Sequence, residues 1–244
     1  MEGKTGMTIG DNMREIQSCI AAAEARAGRT PGTVTLICVT KTRTVTEMSE
    51  AVRSGAFDLG ENRVQEMMEK YGAMQDVAGT GEKKYNIKWH LIGQLQRNKV
   101  KYIIGKTSLI HSVDSFRLAE EIERCAKEAK VNVGVLIQVN PAGEMQKAGV
   151  SLPEAELLTR EIDGGLTRVR VQGLMSVVPI AEDPEEVRGY FREVKQTFDK
   201  MAAAYPAFRH LSMGMTHDYE VAIEEGATMV RVGAGIFGPR AQRE

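Results

Sequence analysis

The 244-residue sequence has little that would tie the chain to an oxidising compartment or to a membrane. Its three cysteines lie far apart and form no Cys-x-x-Cys pair, which argues against a disulfide framework and a zinc site. No apolar run approaches the roughly 18 residues that a membrane-spanning helix needs. The first four residues, Met1-Glu2-Gly3-Lys4, lack the apolar core of a secretory signal. We therefore predict a cytoplasmic protein that does not act in a membrane.

An excess of charge of one sign is also missing. The chain has 32 Lys and Arg against 33 Asp and Glu, a formal net charge of −1, so nothing favours a nucleic-acid partner. Only seven residues are proline, and no proline-rich linker or low-complexity segment divides the chain. With 42% hydrophobic residues the chain can bury a sizeable core. Its length is common for an α/β barrel, so residues 1–244 are predicted to form a single domain. Gly72 to Lys84 is predicted to be a flexible loop.

Apolar runs rich in Val, Ile and Leu recur along the chain, and most do not alternate strictly with polar residues. Such runs are typical of parallel strands buried on both faces. They cover residues 34–40, 57–60, 87–93, 109–113, 133–139, 171–177, 209–213 and 229–233. Helical patterns lie between them, at 46–53, 116–130, 153–163, 184–204 and 218–225, and an extra helix over 9–27 precedes the first strand. Eight alternating strands predict an α/β fold, a single (β/α)8 TIM barrel, rather than an open doubly wound sheet.

A lysine directly follows the first predicted strand. In such barrels the active site lies at the carboxyl ends of the strands, and Lys41 occupies that position. Partial burial disfavours an ammonium ion and leaves a nucleophilic amine that can form a Schiff base. The alternative interpretation is an ordinary exposed lysine just past a strand. Cys38, within the same apolar run, is interpreted as a core residue.

The last two strand ends carry glycines and hydroxyl groups. The loops after strands seven and eight often bind a phosphate in these barrels. Here they read Ser212-Met213-Gly214-Met215-Thr216 and Gly233-Ala234-Gly235, in which backbone N–H groups can approach an anion closely. In the alternative interpretation, Thr216 only caps the helix that starts near Asp218. Together with Lys41, these loops describe a ligand that bears an aldehyde and a phosphate.

Two basic features have alternative interpretations. Arg231 lies inside the final strand, and a buried guanidinium needs a partner. The partner is either the ring nitrogen of a pyridine cofactor or a barrel carboxylate such as Glu61. The basic stretch from Arg97 to Lys106 is either a docking or anion-binding surface or simply a solvated helix face.

The strand-end segments closely resemble the YggS/PROSC family, the pyridoxal phosphate homeostasis proteins. The segments, in order, are Thr40-Lys41-Thr42, Gly60-Glu61-Asn62-Arg63-Val64-Gln65-Glu66, Trp89-His90-Leu91-Ile92-Gly93-Gln94-Leu95-Gln96-Arg97-Asn98-Lys99, His111-Ser112-Val113-Asp114, Gln138-Val139-Asn140, Gly173-Leu174-Met175, Leu211-Ser212-Met213-Gly214-Met215-Thr216, Met229-Val230-Arg231-Val232-Gly233 and Ile236-Phe237-Gly238. The resemblance implies a barrel like the N-terminal domain of alanine racemase, with pyridoxal 5′-phosphate held as a Schiff base on Lys41.

The resemblance also implies roles for other residues. Ser212, Gly233 and Ala234 would contact the phosphate, and Arg231 would face the pyridine nitrogen. Thr216 keeps the hydroxyl that the family has at this position. The pocket around the ring would be lined by five residues, for each of which barrel packing is the alternative: Asn62, His90, Ile92, Asn140 and Met175.

Three functions are compatible with such a site. The first is a monomeric, non-enzymatic protein that buffers pyridoxal phosphate or delivers it to apo-enzymes. The second is an amino acid racemase of low activity, and the third is a cofactor-free Schiff-base aldolase. A guanidinium at the ring nitrogen cannot accept a proton, which weakens the electron sink that racemisation needs. The chain also ends at Glu244, soon after the last strand, so we expect no second domain with a catalytic tyrosine. Both points favour the homeostasis protein.

Overall fold

The computed structural model describes residues 7–79, 85–144 and 146–239. Within them, eight parallel strands form a closed barrel in which each strand pairs with its neighbours in sequence and β8 pairs with β1. The strands are β1 (Thr35–Val39), β2 (Asp58–Glu61), β3 (Lys88–Leu91), β4 (Leu109–Val113), β5 (Val133–Val139), β6 (Val169–Ser176), β7 (His210–Ser212) and β8 (Met229–Val232). The predicted (β/α)8 fold is confirmed.

Helices cover the outside of the barrel. They are α1 (Ile9–Arg26), α2 (Val45–Arg53), α3 (Val64–Gly79), α4 (Val100–Ile103), α5 (Phe116–Ala129), α6 (Leu152–Gly165), α7 (Arg188–Ala204), α8 (Tyr219–Glu224) and α9 (Ala234–Phe237), with 3-10 turns at Arg97–Lys99 and Pro184–Val187. The extra helix α1 starts at a capping box between Thr8 and Asp11 and packs against α8 and α9. No helix in the part of the chain that the structure describes is long and apolar enough to cross a membrane.

The segment after β2 corrects one prediction. Residues 72–79 were predicted as part of a loop, but α3 continues to Gly79, and residues 80–84 lie outside the described residues. Met67 and Met74 are fully buried and stand seven residues apart on one face of α3. Their packing against the barrel stabilises a helix that contains glycine, which local propensity alone would disfavour.

The core has two layers. The larger layer lies between the barrel and its helices and includes Cys38, which is fully buried, as predicted, and whose thiol pKa is raised by that burial. The smaller layer fills the barrel interior with Ile37, Leu109, Leu136, Met175 and Met229. Because alternate residues of a strand face the same side, the interior positions nearer the carboxyl ends include His111, two residues beyond Leu109, and Arg231, two residues beyond Met229. A polar layer therefore lies directly above the apolar one.

The basic stretch of residues 97–106 covers the 3-10 turn and α4. The ammonium groups of Lys99 and Lys101 lie 5.8 Å and 5.2 Å from the centre of the Tyr102 ring. Arg97, Lys101 and Tyr102 are exposed. These contacts fit a solvated face stabilised by cation–π interactions, and a docking role for it stays a prediction.

Candidate functional site

Lys41 lies at the carboxyl end of the barrel, two residues beyond the end of β1, and is partly buried. On one side, the backbone N–H of Thr40 donates to the carbonyl oxygen of Gly60 at 2.9 Å. On the other side, a Cβ placed on Gly233 would lie 3.2 Å from Cβ and 3.3 Å from the carbonyl oxygen of Val39. The backbones of β2 and of the segment after β8 thus approach the start of the Lys41 turn from both sides, where a barrel active site belongs.

An ionic cluster of Glu61, Glu66 and Lys70 lies behind this turn. Lys70 on α3 donates to the carbonyl oxygen of Thr40 at 2.8 Å, to Oε1 of Glu61 at 2.8 Å and to Oε1 of Glu66 at 2.7 Å. Lys70 is 8% exposed and Glu61 is fully buried. Burial raises the pKa of the Glu61 carboxyl despite the hydrogen bonds from Lys70 and Thr40 that lower it. The cluster has two carboxyl groups for one ammonium group.

The ionic cluster also holds the residue after Lys41. Thr42 has φ +65°, a left-handed conformation that residues other than glycine rarely adopt. Its backbone N–H donates to Oε1 of Glu66, the same oxygen that accepts from Lys70. Burial alone would raise the pKa of Glu66, but the hydrogen bonds from Lys70 and Thr42 outweigh it and lower the pKa. The backbone is therefore fixed immediately before and immediately after Lys41.

Arg231 does not form the salt bridge with Glu61 that was one of its two predicted contacts. Glu61 binds Lys70, so the proposed salt bridge between Arg231 and Glu61 is wrong. Arg231 instead donates from Nη1 to Oγ of Ser212 at 2.7 Å and from Nη2 to the carbonyl oxygen of Ser176 at 2.8 Å. It is 5% exposed, and burial lowers its pKa to about 10, so the guanidinium is still charged at neutral pH. The other three residues of β8 are Met229, Val230 and Val232, so Arg231 is the polar residue of this strand.

A chain of polar side chains continues from Ser212 across the barrel interior. Oγ of Ser212 lies 3.1 Å from Nδ1 of His111, and Nε2 of His111 lies 2.9 Å from Nδ1 of His90. Nε2 of His90 lies 2.9 Å from Oδ1 of Asp58, at the start of β2. We call Asp58, His90, His111 and Ser212 the histidine chain. It connects Arg231 to the opposite end of the barrel.

Three predicted site residues lie inside the barrel with almost no exposed surface. Ser212 is 0% exposed, Met175 is 1% exposed and His90 is 2% exposed. Met175 packs in the interior apolar layer, as the alternative of barrel packing predicted. The side chains of Ser212 and His90 are engaged within the histidine chain. The structure therefore places these three in the barrel interior, with Ser212 as the last residue of β7, and their contact with a cofactor stays a prediction.

Thr216, Gly233 and Ala234 come together at the carboxyl ends of β7 and β8. The backbone N–H of Gly233 faces Oγ1 of Thr216 at 3.5 Å. Thr216 does not cap α8, since Asp218 is the N-terminal cap residue, so that alternative is wrong. Helix α9 begins at Ala234, and the first N–H groups of a helix have no acceptor within it. We call Thr216, Gly233 and Ala234 the cradle.

A cavity of about 740 Å³ flanks the cradle. It is lined by residues that include Thr216, Ala234 and Gly235, together with residues of α1 and α8. Lys41 and Arg231 do not line it, so the cavity lies beside the site and does not contain it.

Asn62 and Ile92 are partly buried and follow β2 and β3. A Cβ on Gly93 would lie 2.3 Å from the carbonyl oxygen of Asn62, so only glycine allows Asn62 its position. Asn140, after β5, donates from Nδ2 to the carbonyl oxygens of Glu144 and Lys147 at 2.8 Å and 3.3 Å. Its Oδ1 is buried and has no hydrogen-bond partner among the described residues. Asn140 thus orders its own loop and keeps one acceptor unused.

Comparison with known proteins agrees with this geometry. The family model described as alanine racemase, N-terminal domain, matches residues 12–241. A pyridoxal phosphate homeostasis protein of Aquifex aeolicus is 43% identical over 235 residues, which cover 96% of this chain and 99% of that protein. This chain belongs to the pyridoxal phosphate homeostasis protein family. The resemblance noted from the strand-end motifs is confirmed.

Two solved structures of similar length support membership of this family. A protein of unknown function from Bifidobacterium adolescentis is 39% identical with a TM-score of 0.87, and the match covers 94% of both chains. PipY of Synechococcus elongatus PCC7942, whose structure was determined with PLP bound, is 30% identical with a TM-score of 0.78. That match covers 95% of this chain and 100% of PipY.

Sequence reasoning missed four polar residues that support the site in this family member: Asp58, Glu66, Lys70 and His111. A signal existed for Lys70, which stands at helical spacing between the buried Met67 and Met74 on α3. A lysine on a buried helix face needs a carboxylate partner, and Glu66 precedes it by four residues. His111 likewise occupies a strand in which every residue is buried.

Proposed function

We propose that this protein holds pyridoxal 5′-phosphate as a Schiff base on Lys41 and buffers or delivers the cofactor in vitamin B6 homeostasis. The proposal is supported by its relatives, which are named pyridoxal phosphate homeostasis proteins, and by PipY, whose structure has PLP bound. One observation carries it. Lys41 follows β1 at the carboxyl end of the barrel, while Gly233 of the cradle and Arg231 belong to the adjacent strand end, β8.

The residues present fit this cofactor. Its aldehyde needs an amine, and Lys41 stands on a backbone held on both sides. Its phosphate needs N–H and O–H donors in a close concave surface, and Gly233 approaches β1 so tightly that a Cβ would lie 3.2 Å from Val39. Its ring nitrogen needs a donor, and the contacts to Ser212 and Ser176 use two of the roughly five N–H donors of a guanidinium.

We assign the phosphate to the cradle. The hydroxyl of Thr216 and the backbone N–H groups of Gly233 and Ala234 can donate to a phosphate without losing another strong hydrogen bond, because the contact between Thr216 and Gly233 is long at 3.5 Å. Ser212, which sequence reasoning placed on the phosphate, already contacts Arg231 and His111 and is fully buried. We therefore assign Ser212 to the support of Arg231.

Around the ring, we propose Asn62, Ile92 and Asn140 as the pocket residues. Asn62 and Ile92 are partly exposed at the ends of β2 and β3, and Gly93 fixes the backbone of Asn62. The buried Oδ1 of Asn140 offers an unused acceptor at the end of β5. Hydrogen bonds to buried, otherwise unsatisfied atoms are favourable, because leaving such an atom unpaired costs about 1–3 kcal/mol.

Arg231 argues for a carrier and against a racemase. Bound pyridoxal phosphate supplies an electron sink for reactions at the α-carbon of amino acids, and that sink is strongest with a protonated ring nitrogen. A carboxylate beside the ring nitrogen would stabilise that proton. Arg231 is charged and can only donate hydrogen bonds, so it cannot take the place of a carboxylate there. We propose that Arg231 keeps the cofactor chemically quiet.

We also propose that residues 1–244 act as one monomeric cytoplasmic domain that passes pyridoxal phosphate to apo-enzymes. Cys19, Cys38 and Cys125 have no disulfide partner among the described residues, which fits a reducing compartment. Size-exclusion chromatography with light scattering tests the monomer.

The covalent site is tested by borohydride reduction of the protein after incubation with pyridoxal phosphate, followed by peptide mapping. We expect one stable label, on Lys41, and none in Lys41→Ala. Lys101→Ala removes an exposed lysine of α4 and should label as the unmodified protein does. A label on another lysine in the unmodified protein would refute the assignment.

The carrier role is tested by exchange of the α-hydrogen of alanine with solvent deuterium. We expect negligible exchange by the loaded protein. Exchange at a rate typical of enzyme turnover, on the order of 1 per second or more, would contradict the carrier and favour the racemase.

A further inference from the structure

The histidine chain raises the question of where its hydrogens lie. A guanidinium only donates, so Oγ of Ser212 must accept from Nη1 of Arg231, which lies 2.7 Å away. The hydrogen of the Ser212 hydroxyl is then available for Nδ1 of His111 at 3.1 Å. If His111 accepts at Nδ1, its neutral ring carries the hydrogen on Nε2.

The same reasoning orients the rest of the histidine chain. A hydrogen on Nε2 of His111 points to Nδ1 of His90 at 2.9 Å, which must then accept. His90 consequently carries its hydrogen on Nε2, where Oδ1 of Asp58 accepts it at 2.9 Å. In this arrangement each contact has one hydrogen and both imidazoles are neutral. The reversed arrangement would require a positively charged His90, because a neutral ring with its hydrogen on Nδ1 would turn a lone pair towards Asp58.

Burial favours the arrangement in which neither imidazole is charged, since His111 is fully buried and His90 is 2% exposed. Burial lowers the pKa of His111 well below the usual range, and positive charge on His90, Arg231 or His210 lowers it further. Burial, with Arg209 beside it, also lowers the pKa of His210 to about 4. Two further charged groups face this network: the ammonium of Lys88, which lies 4.0 Å from Asp58, and Asp218, which interacts with Arg231. Every cation that faces His111 opposes its protonation.

We propose that His111 is a positioning residue that fixes Arg231 through Ser212. By accepting the hydroxyl hydrogen of Ser212, His111 leaves the lone pairs of that oxygen to Arg231. Ser176 holds the guanidinium from β6, two strands away from β8 in the barrel, so the two contacts determine its orientation. The proposal rests on the proposed function in one respect, namely that the fixed guanidinium faces the cofactor ring.

This positioning has a physical use. An arginine side chain loses rotamer entropy when it is ordered. If it is already ordered in the folded protein before the cofactor binds, the guanidinium is preorganised. Hydrogen bonds aligned in one direction also polarise one another, here from the cation Arg231 towards the anion Asp58.

The first test uses the protein without cofactor. Nitrogen-15 NMR of the imidazole rings reports which nitrogen carries the hydrogen. We expect His111 to be neutral with its hydrogen on Nε2 between about pH 6 and pH 8, the range in which an ordinary histidine titrates, and His90 to carry a hydrogen on Nε2, facing Asp58. A His111 ring that is charged, or that carries its hydrogen on Nδ1, would overturn the proposal.

The second test measures cofactor binding. His111→Phe removes the acceptor for Ser212 and should weaken pyridoxal phosphate binding about threefold to tenfold, the effect of losing one hydrogen bond, with a shift in the absorbance of the bound cofactor. His111→Asn keeps an acceptor near Nδ1 and should restore part of both. Leu109→Ala, two residues earlier on β4 in the interior apolar layer, controls for lost packing and should lower stability but leave the absorbance unchanged.

The outcomes separate the two proposals. If the unmodified protein gives no borohydride-stable label on Lys41, the proposed function fails, while the NMR test of the histidine chain stands. Suppose instead that the unmodified protein is labelled on Lys41. If His111→Phe then has the same affinity for pyridoxal phosphate and the same absorbance as the unmodified protein, the positioning role of His111 fails. Ser212→Ala, a smaller change, tests the same contact if His111→Phe does not fold, and unchanged absorbance there would also overturn the proposal.

Discussion

The two buried polar networks of this barrel support the site in different ways. The ionic cluster of Glu61, Glu66 and Lys70 lies between the barrel and α3 and fixes the backbone around Lys41. The histidine chain crosses the barrel interior and fixes a side chain, that of Arg231. The first network is built from charges, and the second joins one cation and one anion through neutral groups.

The difference shows two ways in which a barrel accommodates buried charges. Removing charges from water costs several kcal/mol per ion, which full pairing only partly repays. At the edge of α3, Glu66 and Lys70 retain some exposure, at 21% and 10% of their side chains, so three charged groups are tolerated. In the interior, neutral imidazoles join Arg231 to Asp58 without adding a further buried charge. We therefore expect the two networks to respond differently to substitution and to pH.

The largest effect is expected for Lys70→Met. It leaves Glu61 buried without its cation, and breaking a buried pair in this way costs about 3–5 kcal/mol. Urea unfolding measures the loss. Lys200→Met is the matched control, because Lys200 pairs with Glu156 while 70% exposed, and exposed pairs are worth about 0–1 kcal/mol. Equal losses in the two variants would contradict the ionic cluster.

The loss in Lys70→Met should also depend on pH. Burial already raises the pKa of Glu61 above its ordinary value of 4.5, and removing Lys70 removes the largest effect that lowers it. Above the folded-state pKa the penalty is complete, and below the unfolded value it is absent, because the folded carboxyl then binds its proton. Unfolding curves should therefore show the deficit relative to the unmodified protein shrinking as pH falls from neutral towards 4.5. A deficit independent of pH would point to lost packing.

A smaller effect is expected for Glu66→Gln. The amide oxygen can still accept from Thr42, but the hydrogen bonds lose their charge, a difference of about 1 kcal/mol. The left-handed turn at Thr42 should then be held less firmly, so borohydride labelling of Lys41 should slow while the final label stays on Lys41. Glu69→Gln on the exposed face of α3 serves as the control and should leave both stability and labelling unchanged.

The smallest effect is expected for Asp58→Asn. If the histidine chain is neutral, the amide oxygen still accepts from Nε2 of His90, and the free energy of unfolding should change by less than about 1 kcal/mol. The NMR signature of His111 should be retained. A loss of several kcal/mol would show instead that His90 is charged and paired with Asp58, and the contrast between the two networks would disappear.

Much of the site could be predicted from the sequence because its key residues follow strands. The apolar runs mark the buried strands, and Lys41, Asn62, Ile92 and Asn140 each lie just beyond one. The carboxyl ends of parallel strands meet at one end of a barrel, so these positions are brought together by topology alone. Gly233 and Gly235 could be predicted in the same way, because they lie at and just beyond the end of the last apolar run. The position of a residue just after a strand can be read from the neighbouring sequence alone.

Only the tertiary structure decided which polar groups pair. Ser212 and His111 are 101 residues apart, and Glu61 meets Lys70 and not Arg231 because α3 returns across the end of β1. For the three-residue strand β7, which face turns inward depends on the register of the closed barrel, and a shift of one residue would exchange Ser212 with its neighbours. The sequence by itself determined the barrel and the residues at its carboxyl ends, since periodicity and strand order are local properties. The packing of distant strands and helices determined the contacts that support Lys41 and Arg231.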